Sequence, residues 1–143
     1  MISKAKQRVL IAKDALEWEA AGALIAAQGQ YVAPLLAPID GSLWQQARDT
    51  FIGKCQVCAL GALLVAKAVR YDNVTREALL GQNTQALREH FDEDQLTLIE
   101  SAFEGWNDES WFDAYPDESA RFRAIMRNII RHKGTFVPSD VRP

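Results

Sequence analysis

Residues 55–69 read Cys-Gln-Val-Cys-Ala-Leu-Gly-Ala-Leu-Leu-Val-Ala-Lys-Ala-Val, and this stretch decides the fold. From Val57 to Ala66 it is apolar on nearly every side, and a helix without a polar face belongs in the middle of a domain. The run falls far short of the roughly 20 residues that cross a bilayer, so it predicts a buried central helix over about 56–70 and no membrane span. Gly61 and Ala62 at its centre allow close approach of neighbouring helices.

Working outward, Ser3 is a helix N-cap, and Ile2, Ala5, Val9, Ala12 and Leu16 follow at steps of three and four on one face. That first helix is expected to run to about Gln28, with Gly29 as its stop and Gly22 a tolerated interior position. Pro34 and Pro38 make Tyr31 to Ser42 a connector. Ser42 caps a short helix from Leu43 to about Phe51, a weaker helical stretch covers Thr75 to Leu80, and Asn83 or Thr84 restarts the chain toward His90. Asp92 and Gln95 have the spacing of a capping box, opening a helix with Leu96, Ile99, Phe103 and Trp106 on its inner face. Trp106 to Tyr115 reads as a loop. Pro116 suits the first turn of the last helix, whose core face is Phe122, Ile125, Met126, Ile129 and Ile130, and Gly134 closes it. No repeat appears, and no pair of alternating runs is long enough for a sheet. The expectation is one all-α domain over 1–143, an irregular or orthogonal bundle of five to seven helices.

The 143 residues carry 16 Lys and Arg against 19 Asp and Glu, a net charge of -3. Bulk electrostatics therefore draw the chain neither to nucleic acid nor to an anionic membrane. The balance is uneven: Glu89 to Glu118 holds eleven carboxylates and no Lys or Arg, whereas Arg121 to Lys133 holds five basic residues and no acid. Two cysteines make no disulfide framework, which fits a reducing compartment. The opening Met1 to Val9 is positively charged, but Lys13, Asp14 and Glu17 break any apolar run behind it, so no export signal and a cytoplasmic location are expected.

Few residues suit catalysis. Cys55 and Cys58 have Cys-x-x-Cys spacing at a helix start, where a dipole-stabilised thiolate serves disulfide exchange. No strand of a βαβ unit and no nearby histidine accompanies them, so packing of a buried helix is the plainer role and a thiol oxidoreductase the alternative. Zinc would need Cys55, Cys58, His90 and His132 together, without the spacing of a finger, and His132 is more simply a cation near a helix C-terminus. Asp108, Glu109, Asp113, Asp117 and Glu118 lack a calcium-loop pattern, and neither a nucleophile elbow nor a Gly-rich phosphate loop occurs. No cofactor or metal is implied.

Two surfaces stand out instead. The acids interleaved with Trp106, Trp111, Phe112 and Tyr115, above all Asp108, Glu109 and Asp113, suit a basic protein partner, since aromatic rings anchor while carboxylates steer. The plainer role of these aromatics is core packing beneath a solvated loop. Arg123, Arg127 and Arg131 recur every fourth residue beside the apolar face of the last helix and suit phosphates or nucleic acid; equally, they suit pairing with the acidic segment inside the fold.

Cys58-Ala-Leu-Gly-Ala-Leu63, Trp106-Asn-Asp108, Ile125-Met-Arg-Asn-Ile-Ile130 and Gly134-Thr-Phe-Val-Pro138 resemble a loose family of small uncharacterised bacterial and phage proteins, over residues 55 to 138. The resemblance implies a small helical accessory protein of a phage or mobile element, with inhibition of host machinery as a sensible class. The expected function is a non-enzymatic interaction protein that binds another macromolecule, a protein in preference to nucleic acid, through Trp106, Asp108, Glu109, Trp111, Phe112, Asp113 and Tyr115. The alternatives are redox chemistry at Cys55 and Cys58 and anion binding at Arg123, Arg127 and Arg131.

Overall fold

A computed structural model describes residues 2–22, 24–27, 32–34, 55–71, 84–106 and 109–142. The expected helices at Leu43 to Phe51 and Thr75 to Leu80 lie outside these residues. Within them the chain is mainly helical, as the apolar periodicity requires: α1 (Lys4–Ala20), α2 (Ala59–Tyr71), a 3-10 turn (Thr84–Glu89), α3 (Glu93–Glu104), α4 (Ser110–Ala114) and α5 (Glu118–Arg131). The expectation of no sheet is corrected by three short strands, β1 (Leu24–Ala26), β2 (Val32–Pro34) and β3 (Cys55–Val57), in the order β1-β3-β2. β3 runs parallel to β1, with Leu24 opposite Cys55, and antiparallel to β2, with Val32 opposite Val57. No described helix is long and apolar enough to cross a membrane.

The central helix is where the apolar run puts it. Ala59 to Lys67 is buried without interruption, and α2 packs against α1 and α3. Its start is corrected by three residues, because Cys55, Gln56 and Val57 spend their backbone groups on the sheet. Cys58 then opens the helix, its carbonyl accepting the Ala62 N–H at 2.9 Å.

Helix α1 begins as expected, Ser3 Oγ accepting the Lys6 N–H at 3.2 Å. It ends at Ala20 and not near Gln28, because Gly22 takes φ +80°, a left-handed conformation that terminates a helix. The residues expected to continue it form β1. Helix α3 is capped by Asp92, whose Oδ1 accepts the Gln95 N–H at 2.8 Å. The second half of the capping box is replaced: Gln95 donates to the Phe136 carbonyl at 3.0 Å and accepts the Phe136 N–H at 2.6 Å, so it holds the tail. Asp117, one residue after Pro116, caps α5 through the Ala120 N–H at 2.9 Å.

The tail beyond α5 is bound into the core. Lys133 takes the left-handed turn at φ +56° that ends the helix, and Gly134 follows at φ +101°; a Cβ there would lie 2.5 Å from the Ala5 carbonyl oxygen, so only glycine lets the turn meet α1. Phe136 is buried beside Trp111, ring centroids 5.3 Å apart. Asn128, buried on α5, donates to the carbonyls of Val137 (2.8 Å) and Asp140 (3.1 Å) and accepts the Val137 N–H at 2.8 Å. Three polar side chains of the helical core thus complete their hydrogen bonds on the backbone of Phe136 to Asp140, the third being Trp111, which donates Nε1–H to the Pro138 carbonyl at 3.0 Å.

Candidate functional site

The acidic and aromatic segment does not form one exposed surface. Trp111 is 1% exposed, on the inner side of α4, and Tyr115 stacks on it with centroids 6.2 Å apart. Its assignment as a partner-binding residue is corrected: a side chain closed between Tyr115, Phe136 and the tail is core. Phe112 is half-buried beneath the Arg121 guanidinium, which stands 4.1 Å from its ring centroid. Trp106, expected inside, is 53% exposed, because Gly105 turns left-handed at φ +79° and sends the next residue outward. Glu109 and Asp113 are exposed, and Asp108 lies outside the described residues.

Arg121 explains much of this local order. It is fully buried, donates from Nε to the Phe103 carbonyl (2.8 Å) and from Nη1 to those of Tyr115 (2.9 Å) and Pro116 (3.2 Å), and also faces the Phe103 ring at 4.9 Å. Burial lowers its pKa from the ordinary guanidinium value. One arginine therefore ties the end of α3 to the turn before α5.

The thiol reading is not supported at Cys58. Its sulfur is buried and accepts the Gly61 N–H at 3.4 Å, but burial outweighs that bond and pushes the thiol up to about 11, the reverse of the low-pKa thiolate exchange requires. Cys55 lies on β3. Among the described residues no group of three or more His, Cys, Asp or Glu side chains is placed to hold a metal. His132 caps α5 and puts Nε2 2.6 Å from Asp140 Oδ2.

The arginine stripe has the clearest geometry. Arg123, Arg127 and Arg131 share one side of α5, and the folded tail brings Arg142 alongside them. With Tyr115 and Ala124 they line a concavity of about 310 Å³. Two carboxylates answer part of this charge: Arg123 Nε meets Glu19 of α1 at 3.0 Å, and Asp140 accepts from Arg131 (3.2 Å) and Arg142 (2.8 Å). Both partners lie outside the acidic run of residues 89–118. His132, together with Arg142 and Arg131, holds the Asp140 carboxyl well below the usual carboxylate range. Arg127 is exposed, and among the described residues none pairs with it. A second concavity continues from Arg123 and Arg127 toward Leu16, Glu17 and Glu19 on α1.

The periodicity of α5 contains Arg123, Arg127 and Arg131; it contains no sign of Arg142, which joins them only because Asn128 and Asp140 fold the tail back. Tyr115 carries a signal of the wrong kind, an aromatic among acids, and ends beside the arginines because it sits one turn before α5. No protein-family model, no curated protein and no solved structure matches the chain.

Proposed function

We propose that this is a binding protein that captures a phosphate-bearing anion in the arginine-lined concavity of α5. The observation that supports this is the exposed Arg127 guanidinium, unpaired among the described residues and flanked by Arg123, Arg131 and Arg142. Guanidinium groups offer paired N–H donors matched to phosphate oxygens, and a concave site excludes part of the water that screens them. Binding of inorganic tripolyphosphate, followed by calorimetry at low salt, tests this reading. Arg127→Glu is expected to weaken it at least about tenfold, the loss of one charge-assisted contact and its replacement by repulsion. Absence of binding to the unsubstituted protein at low salt would sink the reading.

The exposed Trp106 supports a second one, a protein partner that takes the face around this ring as its anchor, with Glu109 and Asp113 exposed in the same segment. The accessory or inhibitory role implied by the family resemblance would run through this face. Trp106→Ala separates the two: it should abolish partner capture there and leave tripolyphosphate binding unchanged.

A further inference from the structure

We infer that the anion bound by the arginine concavity is a nucleoside monophosphate, a ligand with one phosphate group next to a planar ring. This rests on the anion-binding reading above and narrows it. Three observations carry it.

The first is charge. Four arginines line the concavity, and two carboxylates, Glu19 on Arg123 and Asp140 on Arg131 and Arg142, offset two of the four positive charges and leave Arg127 without a partner among the described residues. The surplus matches the charge of one phosphate monoester, about -1.5 to -2 near neutral pH.

The second is extent. A strand leaving the concavity past Arg123 would enter the groove lined by Glu17 and Glu19, and one leaving past Arg131 would meet the Asp140 carboxylate. Beyond the arginines already counted, the adjoining groove adds acids and no further cation, so a longer polyanion gains no added pairing there, in a chain whose net charge is already negative. The volume of about 310 Å³ lies at the small end of ligand pockets.

The third is the ring. Tyr115 lines the same concavity and stacks on Trp111, which is fixed by Phe136 and by its hydrogen bond to the Pro138 carbonyl. A half-buried aromatic backed by a fixed tryptophan is a platform on which a nucleobase can stack while its phosphate reaches Arg127. A bare phosphate makes no use of it.

The experiment titrates the full chain with AMP, inorganic phosphate, inorganic tripolyphosphate and a fifteen-residue oligothymidylate, using calorimetry and NMR. AMP is expected to bind about tenfold more tightly than inorganic phosphate, and its adenine protons should shift upfield under the Tyr115 ring current. Arg127→Ala should weaken all anions; Tyr115→Leu should bring AMP down to the phosphate level, and Tyr115→Phe should restore it. The upfield shift is read on the unsubstituted protein, so it decides the matter even where Tyr115→Leu disturbs the packing on Trp111. Equal affinity for AMP and phosphate, with no upfield shift, would overturn the monophosphate assignment and leave anion binding intact. Tighter binding of the oligothymidylate, weakening steeply with salt, would overturn it in favour of single-stranded nucleic acid. If none of the four binds, the underlying anion-binding reading falls with it.

Discussion

Arg121 and Arg127 are the same side chain on one helix, and the two positions use it in opposite ways. Arg121 gives its donors to the carbonyls of Phe103, Tyr115 and Pro116 and lies between two rings, so its charge is spent on joining α3 to α5. Arg127 makes no such bond among the described residues and faces a concavity. Trp111 and Trp106 repeat the contrast across α4, one enclosed and one exposed. A residue type in this region therefore carries no role by itself; the role follows from whether a backbone carbonyl stands within its reach.

That contrast can be broken experimentally. The largest effect is expected at Trp111: Trp111→Ala should cost about 3–5 kcal/mol in urea denaturation, from the cavity and the unanswered Pro138 carbonyl, whereas Trp106→Ala should stay within about 0.5 kcal/mol. Comparable costs at the two tryptophans would contradict their placement. Next, Arg121→Ala should lose roughly 2–3 kcal/mol, since three carbonyls lose a charged donor, and Arg127→Ala almost nothing. Lysine at position 121 should not rescue it, because an ammonium lacks the planar fork that reaches carbonyls on two elements.

A smaller loss is expected on the tail. Asn128→Ala should cost about 1–3 kcal/mol and speed amide hydrogen exchange at Val137 more than at Ile125, because the Val137 N–H loses its acceptor while the helix ladder stays intact. The smallest effect is electrostatic. Asp140 ionises below its ordinary value in the folded chain, so its stabilising contribution is complete above the unfolded carboxylate value of about 4 and fades as pH falls below it. Thermal melts taken from about pH 6 to about pH 3 should show that loss, and Asp140→Asn should flatten the curve at its acid end. An unchanged acid limb in that variant would show that Arg131 and Arg142 do not depend on it.

Local signals in the sequence proved the most legible. Ser3 and Asp92 act within a few residues of themselves and cap the helices their spacing predicts, while Gly134 lies in the turn that ends α5, one residue after the left-handed Lys133. The buried helix was equally legible, since an apolar run without a polar face has one stable location. The strands were not: each has three residues, too few to show alternation, and β1 finds its partner β3 far along the chain. Gly22 looked like a weak point inside α1 and is its terminus, a difference made by the strand pairing that follows it. At the candidate site, the fourfold spacing of Arg123, Arg127 and Arg131 gave the shared side of α5. What it could not give was Arg142, or the inward turn of Trp111 against the outward turn of Trp106, which depends on the left-handed Gly105.

The bonding of Phe136 to Asp140 also sets an order of events during synthesis. Gln95, Trp111 and Asn128 leave the ribosome before the stretch that satisfies them, so α3, α4 and α5 emerge with polar groups that need partners and cannot yet find them. Until residues 136–140 are in place, water is what remains to answer those groups. The contact of Gly134 with α1 and the full arginine concavity both require the tail, since Arg142 joins the other arginines only when the tail lies along α5.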